Sequence, residues 1–138
     1  MSKAGIAYWS GTGNTEAMAE AFGTSLEKSG FSVTCINVSN GSLDVKDFDL
    51  ILLGCPAMGS EELESDEFEP FLASVEADLS GKKVVLFGSY DWGSGDWMES
   101  FKERVEADGA DVVDTLIQNN APDGDCFERI DALVAKLA

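Results

Sequence analysis

Two stretches of the chain, Leu50-Ile51-Leu52-Leu53 and Val84-Val85-Leu86-Phe87, are apolar without a break. Successive strand residues point to opposite faces, so such a run suits a central parallel strand covered on both sides. The rest of the sequence alternates strand and helix around them. Strands are expected at Gly5 to Trp9, Phe31 to Val38, Asp49 to Gly54, Lys82 to Gly88 and Asp111 to Ile117. Met18, Ala19, Phe22 and Leu26 share one face of a helix from Asn14 to Lys28, which Ser29-Gly30 ends. A second helix is expected over Glu67 to Asp78, burying Phe68, Phe71, Leu72 and Val75. Trp97, Phe101 and Val105 step by four along a third. Phe127, Ile130, Val134 and Leu137 mark a fourth, with Asp125 and Glu128 spaced as a capping box. The pattern predicts an α/β fold, a parallel sheet of five strands with helices on both faces. No repeat, linker or low-complexity tract divides residues 1–138, and one domain is expected.

In such sheets a ligand sits beyond the strand C-termini, at the switch point of the strand order. Three loops fall there. The first, Ser10-Gly11-Thr12-Gly13-Asn14-Thr15, places hydroxyls and two glycines between a strand and a helix, where unpaired N–H groups favour an anion. No Lys or Arg occurs between Lys3 and Lys28. A Walker A loop needs a Lys, and the dinucleotide fingerprint needs a Gly where Glu16 stands. The loop therefore offers a phosphate a cradle without a cation. The plainer alternative is a βα turn capped by Asn or Thr.

The second loop is Pro56-Ala57-Met58-Gly59-Ser60-Glu61. Gly59 takes either sign of φ, so its peptide can flip at little cost. Met58 is either incidental or an apolar wall for a ligand. The third, Ser89-Tyr90-Asp91-Trp92-Gly93-Ser94, places Trp92 among turn residues. Trp92 either stacks on a flat ligand or packs beside Trp97. Together, the cradle, the flexible Gly and the aromatic platform fit a phosphorylated, planar aromatic ligand.

Composition narrows the function. Nine basic against 26 acidic residues give a net charge of −17. Nucleic acid and anionic membrane surfaces are poor partners for such a chain. A basic protein steered to an acidic face is favoured, with plain solubility as the alternative. The chain has no His, which excludes Ser-His-Asp and Cys-His catalysis and imidazole metal sites. Cys35, Cys55 and Cys126 form no CxxC, and Cys35 and Cys55 are expected to be buried. No signal-peptide core or 18-residue apolar stretch appears, so a cytoplasmic protein is expected.

The stretches Tyr8-Trp-Ser-Gly-Thr-Gly-Asn-Thr-Glu16, Leu53-Gly-Cys-Pro-Ala-Met-Gly-Ser-Glu-Glu62 and Leu86-Phe-Gly-Ser-Tyr-Asp-Trp-Gly-Ser-Gly-Asp-Trp97 resemble the short-chain flavodoxins of anaerobic bacteria. The resemblance extends over essentially the whole chain. It implies a flavodoxin-like three-layer sandwich, strand order 2-1-3-4-5, with bound FMN. The implied function is that of a monomeric, low-potential one-electron carrier, shuttling between semiquinone and hydroquinone to serve redox proteins, not an enzyme.

By position, the resemblance implies that Ser10, Gly11, Thr12, Gly13, Asn14 and Thr15 hold the FMN phosphate. Met58 covers the inner flavin face and Trp92 the outer. Gly59 presents its carbonyl to N5, Glu61 accepts from N3–H, and Ala57 and Ser60 complete that loop. Backbone groups of Ser89, Tyr90, Asp91 and Gly93 border the pyrimidine end. The family usually has Gly where this chain has Asp91, which raises a question of both backbone angle and charge.

Residues 47–81 contain ten Asp/Glu and no Lys/Arg. Each acid ~10 Å away through water disfavours an anionic flavin by ~0.4 kcal/mol before screening, and several together by ~2–4 kcal/mol, or ~90–170 mV for one electron. A receiver domain shares the fold, but Tyr8-Trp9-Ser10 and Cys55-Pro56-Ala57 lack its carboxylates. A flavin-dependent reductase is the stronger rival, and turnover with NAD(P)H separates it from a carrier.

Overall fold

The computed structural model describes residues 2–59, 61–91 and 93–137. Strands β1 (Lys3–Tyr8), β2 (Ser32–Asn37), β3 (Leu50–Gly54), β4 (Lys83–Tyr90) and β5 (Asp111–Asn119) alternate with helices α1 (Asn14–Lys28), α2 (Phe68–Val75), α3 (Asp96–Ala107) and α4 (Gly124–Leu137). The sheet is parallel throughout, in the order β2-β1-β3-β4-β5. The chain goes outward from β1 to β2, then crosses back to β3. The switch point lies between β1 and β3, where the first two loops diverge.

The two apolar runs are the centre of this sheet, and their alternation divides the core. Ile51, Leu53, Val84 and Leu86 face α2 and α3, meeting Phe68, Leu72, Trp97 and Phe101. Leu50, Leu52, Val85 and Phe87 face α1 and α4, meeting Met18, Phe22, Ile130 and Val134. Each wholly buried Leu, Ile or Phe of these layers contributes ~1.5–3 kcal/mol of transfer free energy.

Several expectations are corrected. Strands β4 and β5 run two residues further than their apolar cores suggested, so Ser89 and Tyr90 end a strand and do not start a loop. The expected helix over Glu67 to Asp78 is α2 followed by a 3₁₀ turn, Glu76–Asp78. The cap of α4 is Asp123, whose Oδ1 accepts from Cys126 N–H at 2.9 Å. Asp125 lies inside the first turn and pairs with Arg129, one turn on. That earlier start rotates the helix. Cys126 and Leu133 face the core, while Phe127 is 42% exposed. Cys35 is exposed, because β2 is an edge strand that the helices cover only in part.

Below the second core layer, Arg104 joins α3 to α2 and its 3₁₀ extension, pairing with Glu69 at 2.6 Å and Glu76 at 2.7 Å. Asp108, just past α3, has Oδ2 buried with no hydrogen-bond partner among the described residues. Burial first, then the neighbouring Glu76 carboxylate, push its carboxyl up to about 6. A pKa raised on folding means that the native state holds this proton more tightly. The group therefore favours folding below pH ~4, and the contribution is lost as pH rises through about 6. Asp108→Asn is expected to raise stability at pH 7 by ~1 kcal/mol, after allowance for solvent screening, and to change little at pH 4. Urea unfolding at both pH values checks this.

Candidate functional site

The site grows from the C-terminal ends of β1, β3 and β4. The first loop leaves β1 under the control of Trp9. Its N–H continues the ladder to Gly54 O at 3.0 Å, and its indole Nε1 donates to Glu67 at 2.9 Å. The ring then lies beneath the loop, so that a Cβ at Gly11 would meet it at 3.0 Å. Gly13 has φ +96°, a left-handed conformation that L side chains avoid. Neither Asn nor Thr caps α1. Ser10 Oγ takes that place, accepting from Gly13 N–H at 3.1 Å and Glu16 N–H at 3.3 Å, and keeps its own proton for a ligand. The N–H groups of Gly11, Thr12, Asn14 and Thr15 have no partner among the described residues. Four unsatisfied donors at a helix N-terminus are an anion site in waiting.

The second loop is a tight return. Met58 and Glu62 exchange backbone hydrogen bonds of 2.8 and 3.0 Å as an antiparallel bridge. Between them Gly59 has φ +48° and Glu61 φ +58°; Ser60 lies outside the described residues. Glu61 holds its unfavourable angle through its carboxylate. Oε1 accepts from Gly95 N–H at 2.9 Å and Asp96 N–H at 3.2 Å, while Oε2 accepts from Ser94 Oγ at 3.2 Å. A carboxylate at the positive end of α3 is favoured there. It also ties the second loop to the third, with Gly93 packed against it.

The third loop begins at Asp91, which is exposed and does not require positive φ. Asp in place of Gly therefore adds charge without left-handed strain. Trp92 lies outside the described residues. It is Tyr90 whose ring packs on Trp97, with centroids 5.6 Å apart. A fourth loop, absent from the expected set, completes the rim. Asn120 has φ +62°, and its N–H donates to Tyr90 O at 2.7 Å. Asn119 Nδ2 reaches the carbonyls of Tyr90 and Asp91, both at 3.4 Å. The signal was there to be read: Asn119-Asn120-Ala121-Pro122 follows the last strand, and Asn tolerates the left-handed region.

These loops enclose a cleft of about 350 Å³, within the range of small-molecule sites. Gly11, Thr12, Asn14, Ala57, Met58, Gly59, Glu61, Ser89, Tyr90 and Asp91 line it, joined by Trp9, Pro56 and Asn120. No Lys or Arg is among them. Ser10, Gly13, Thr15 and Gly93 support the wall from behind. A larger concavity, about 630 Å³, lies at the opposite end of the strands. It has neither open amides nor the switch point. Its Lys82 already donates to the carbonyls of Lys46 and Phe48, and Lys136 pairs with Asp114.

The thiols take no part in the cleft's chemistry. Burial pushes Cys55 up to about 12 and Cys35 up to about 11, and raises Cys126 as well, so all three stay protonated at neutral pH. No metal-binding cluster occurs among the described residues. Nor is any helix there long and apolar enough to cross a membrane.

A doubly wound sheet with a cation-free anion cradle beside an apolar, ring-sized cleft defines a flavin-mononucleotide carrier of the flavodoxin type. The family profile described as Flavodoxin matches residues 6–131. The flavodoxin of Clostridium beijerinckii is 52% identical over 128 residues, covering 89% of this chain and 93% of that protein. The flavodoxin of Megasphaera elsdenii is 52% identical over 119 residues, covering 86% and 87%. The solution structure of two-electron reduced Megasphaera elsdenii flavodoxin superposes with a TM-score of 0.86 at 48% identity, covering 96% of this chain and 98% of that one. The chain belongs to the flavodoxin family. It is a low-potential electron carrier that uses FMN and works with redox partner proteins; it is not a substrate-turnover enzyme.

Proposed function

We propose that residues 1–138 act as one FMN domain whose parts divide the cofactor as the three loops suggest. The observation that carries this is the row of open N–H groups at Gly11, Thr12, Asn14 and Thr15, at one end of a cleft walled by Met58 and Tyr90. Ser10 and Thr12 add hydroxyls to these donors. Met58 closes the inner ring face. Trp92, by its match to the family loop, closes the outer one. Gly59 and Ser60 supply a backbone that turns toward N5, and the left-handed φ at Gly59 shows which residue would resist a β-branched replacement. Glu61 keeps Oε1 on the α3 N-terminus and has acceptor capacity left on Oε2 for the flavin N3–H. Ala57 and the backbones of Ser89, Asp91 and Gly93 edge the ring. When bound, FMN supplies the electron transfer itself, and the protein supplies orientation and field.

That field is negative. No cation lines the cleft, and Glu61, Glu62, Asp66, Glu67, Glu69 and Asp91 surround its mouth. An anionic reduced ring is disfavoured there, which lowers the second reduction potential. Purified protein is expected to carry one FMN per chain and to refuse FAD. A colourless protein that cannot take up FMN overturns the assignment.

Asp91 separates charge from conformation. At ~8 Å from the ring its carboxylate costs an extra negative charge ~0.5–2 kcal/mol, or ~20–90 mV. Asp91→Asn and Asp91→Gly are expected to raise the second potential by the same amount, because no positive φ has to be relieved. A shift with Gly alone would assign the effect to the backbone.

The acidic mouth is the docking face, and its partners present a basic surface to a monomeric, cytoplasmic carrier. Electron-transfer rates should fall severalfold between low and physiological ionic strength. Salt-independent rates would reduce the −17 charge to a solubility feature.

A further inference from the structure

Two hydroxyls lie where apolar side chains would be the cheaper choice. Thr15 is 1% exposed and Ser89 4% exposed. They stand 74 residues apart in sequence, with their hydroxyl oxygens 3.0 Å apart. Ser89 N–H also donates to Thr15 Oγ1, at 3.3 Å. Burying a hydroxyl costs free energy unless it is hydrogen-bonded, and each of these is satisfied by the other.

Their positions give the pair a wider reach. Thr15 stands in the first turn of α1, with its N–H among the open donors of the anion cradle. Ser89 is where the other loops meet. Its carbonyl accepts from Ala57 N–H at 3.0 Å, fixing the second loop, and Tyr90 and Asp91 follow it into the third. We infer that the Thr15–Ser89 pair is a positioning element that transmits occupation of the anion cradle to the loops holding the flavin ring.

The direction of one hydrogen bond is the switch. Thr15 Oγ1 already accepts the Ser89 N–H. If Ser89 Oγ–H donates to it too, both Thr15 acceptor sites are filled, and its proton is free to point toward the cradle. An anion there selects this arrangement. No proton changes owner, because only the two hydroxyl rotors turn. Ser89 is then held as donor toward α1, and through it Ala57 and Asp91 are held against the ring site. By linkage, an anion in the cradle tightens ring binding, and ring binding tightens the anion.

The inference rests on the cradle being the phosphate site. Riboflavin, which lacks the phosphate, separates the two halves. Its affinity is measured by fluorescence quenching in inorganic phosphate and in chloride at matched ionic strength. The readout is the ratio of the two affinities within each protein, so a general loss of binding does not enter it. The unaltered protein is expected to bind riboflavin at least ~5-fold more tightly with phosphate, the lower bound of common coupling. Thr15→Val and Ser89→Ala should reduce that ratio below twofold, and Thr15→Ser should restore it. An equal ratio in all four proteins overturns the inference, as does the absence of a phosphate effect in the unaltered protein. Failure of the unaltered protein to bind FMN itself would remove the cofactor assignment and this inference with it.

Discussion

Gly88→Ala is expected to destabilise the protein by ~4 kcal/mol or more, and to abolish FMN binding where the chain still folds. A Cβ at Gly88 would lie 2.1 Å from the carbonyl oxygen of Cys55 and 2.9 Å from its carbonyl carbon. Backbone cannot step aside as a flexible side chain can. That oxygen also accepts the indole N–H of Trp97 at 3.0 Å, one of the largest buried side chains. The substitution therefore adds overpacking, worth ~1–3 kcal/mol, to a broken buried hydrogen bond, worth ~1–3 kcal/mol. The damage falls on the floor of the site, since β3 and β4 deliver the second and third loops from here. Thermal unfolding should show a midpoint lower by ~10–20 °C. A midpoint within ~2 °C of the unaltered protein would contradict the close approach of Cys55 to Gly88.

The second large effect is expected at Glu64. This carboxylate is 6% exposed. It accepts backbone N–H bonds from Asp66 at 2.9 Å, Glu67 at 2.8 Å and Phe68 at 2.7 Å, at the N-terminus of α2. Burial alone would raise its pKa, but the three N–H donors outweigh burial and hold the carboxyl below the usual range. Glu64→Ala strands those donors and is expected to cost ~2–4 kcal/mol. Glu64→Gln, which keeps an acceptor oxygen but loses the charge, should recover roughly half. The sign with pH follows from a depressed pKa. The stabilisation is present above the unfolded value, near 4.5, and is lost as pH falls through the lower folded value. The difference between the unaltered protein and Glu64→Ala should therefore shrink below pH 4. A pH-independent difference would mean that lost packing, not the carboxylate, is responsible.

Glu64 also shows where reading the sequence stops. It is one of ten acids between residues 47 and 81, and nothing in its neighbourhood marks it as the one turned inward. Caps further away than the residue next to a helix have no local spacing rule. Glu61 was legible as a site residue through family resemblance. Its φ of +58° and its grip on the α3 N-terminus were not, because both depend on where a loop 34 residues away comes to rest. By contrast α1 was legible at both ends. Gly13 and Ser29-Gly30 punctuate it, and its buried face has strict helical spacing. The central strands were equally plain, because an unbroken apolar run has few homes other than the middle of a covered sheet. The edge was less so. Cys35 sits in a strand of ordinary composition, and only its place at the outside of the sheet leaves it exposed. The anion cradle was read from residue types alone. Its donors were legible there, but the assignment of the cap to Ser10, rather than Asn14 or Thr15, needed the folded geometry.

The central claim is that this chain carries single electrons at low potential on FMN held in a cation-free cleft. Anaerobic titration of the yellow protein with dithionite, followed by its visible spectrum, tests it most directly. The claim predicts one FMN per chain and two resolved one-electron steps. A long-wavelength radical band should rise and then fall between them, with the second step at the lower potential. Direct bleaching in a single two-electron step, with no radical band, would contradict it.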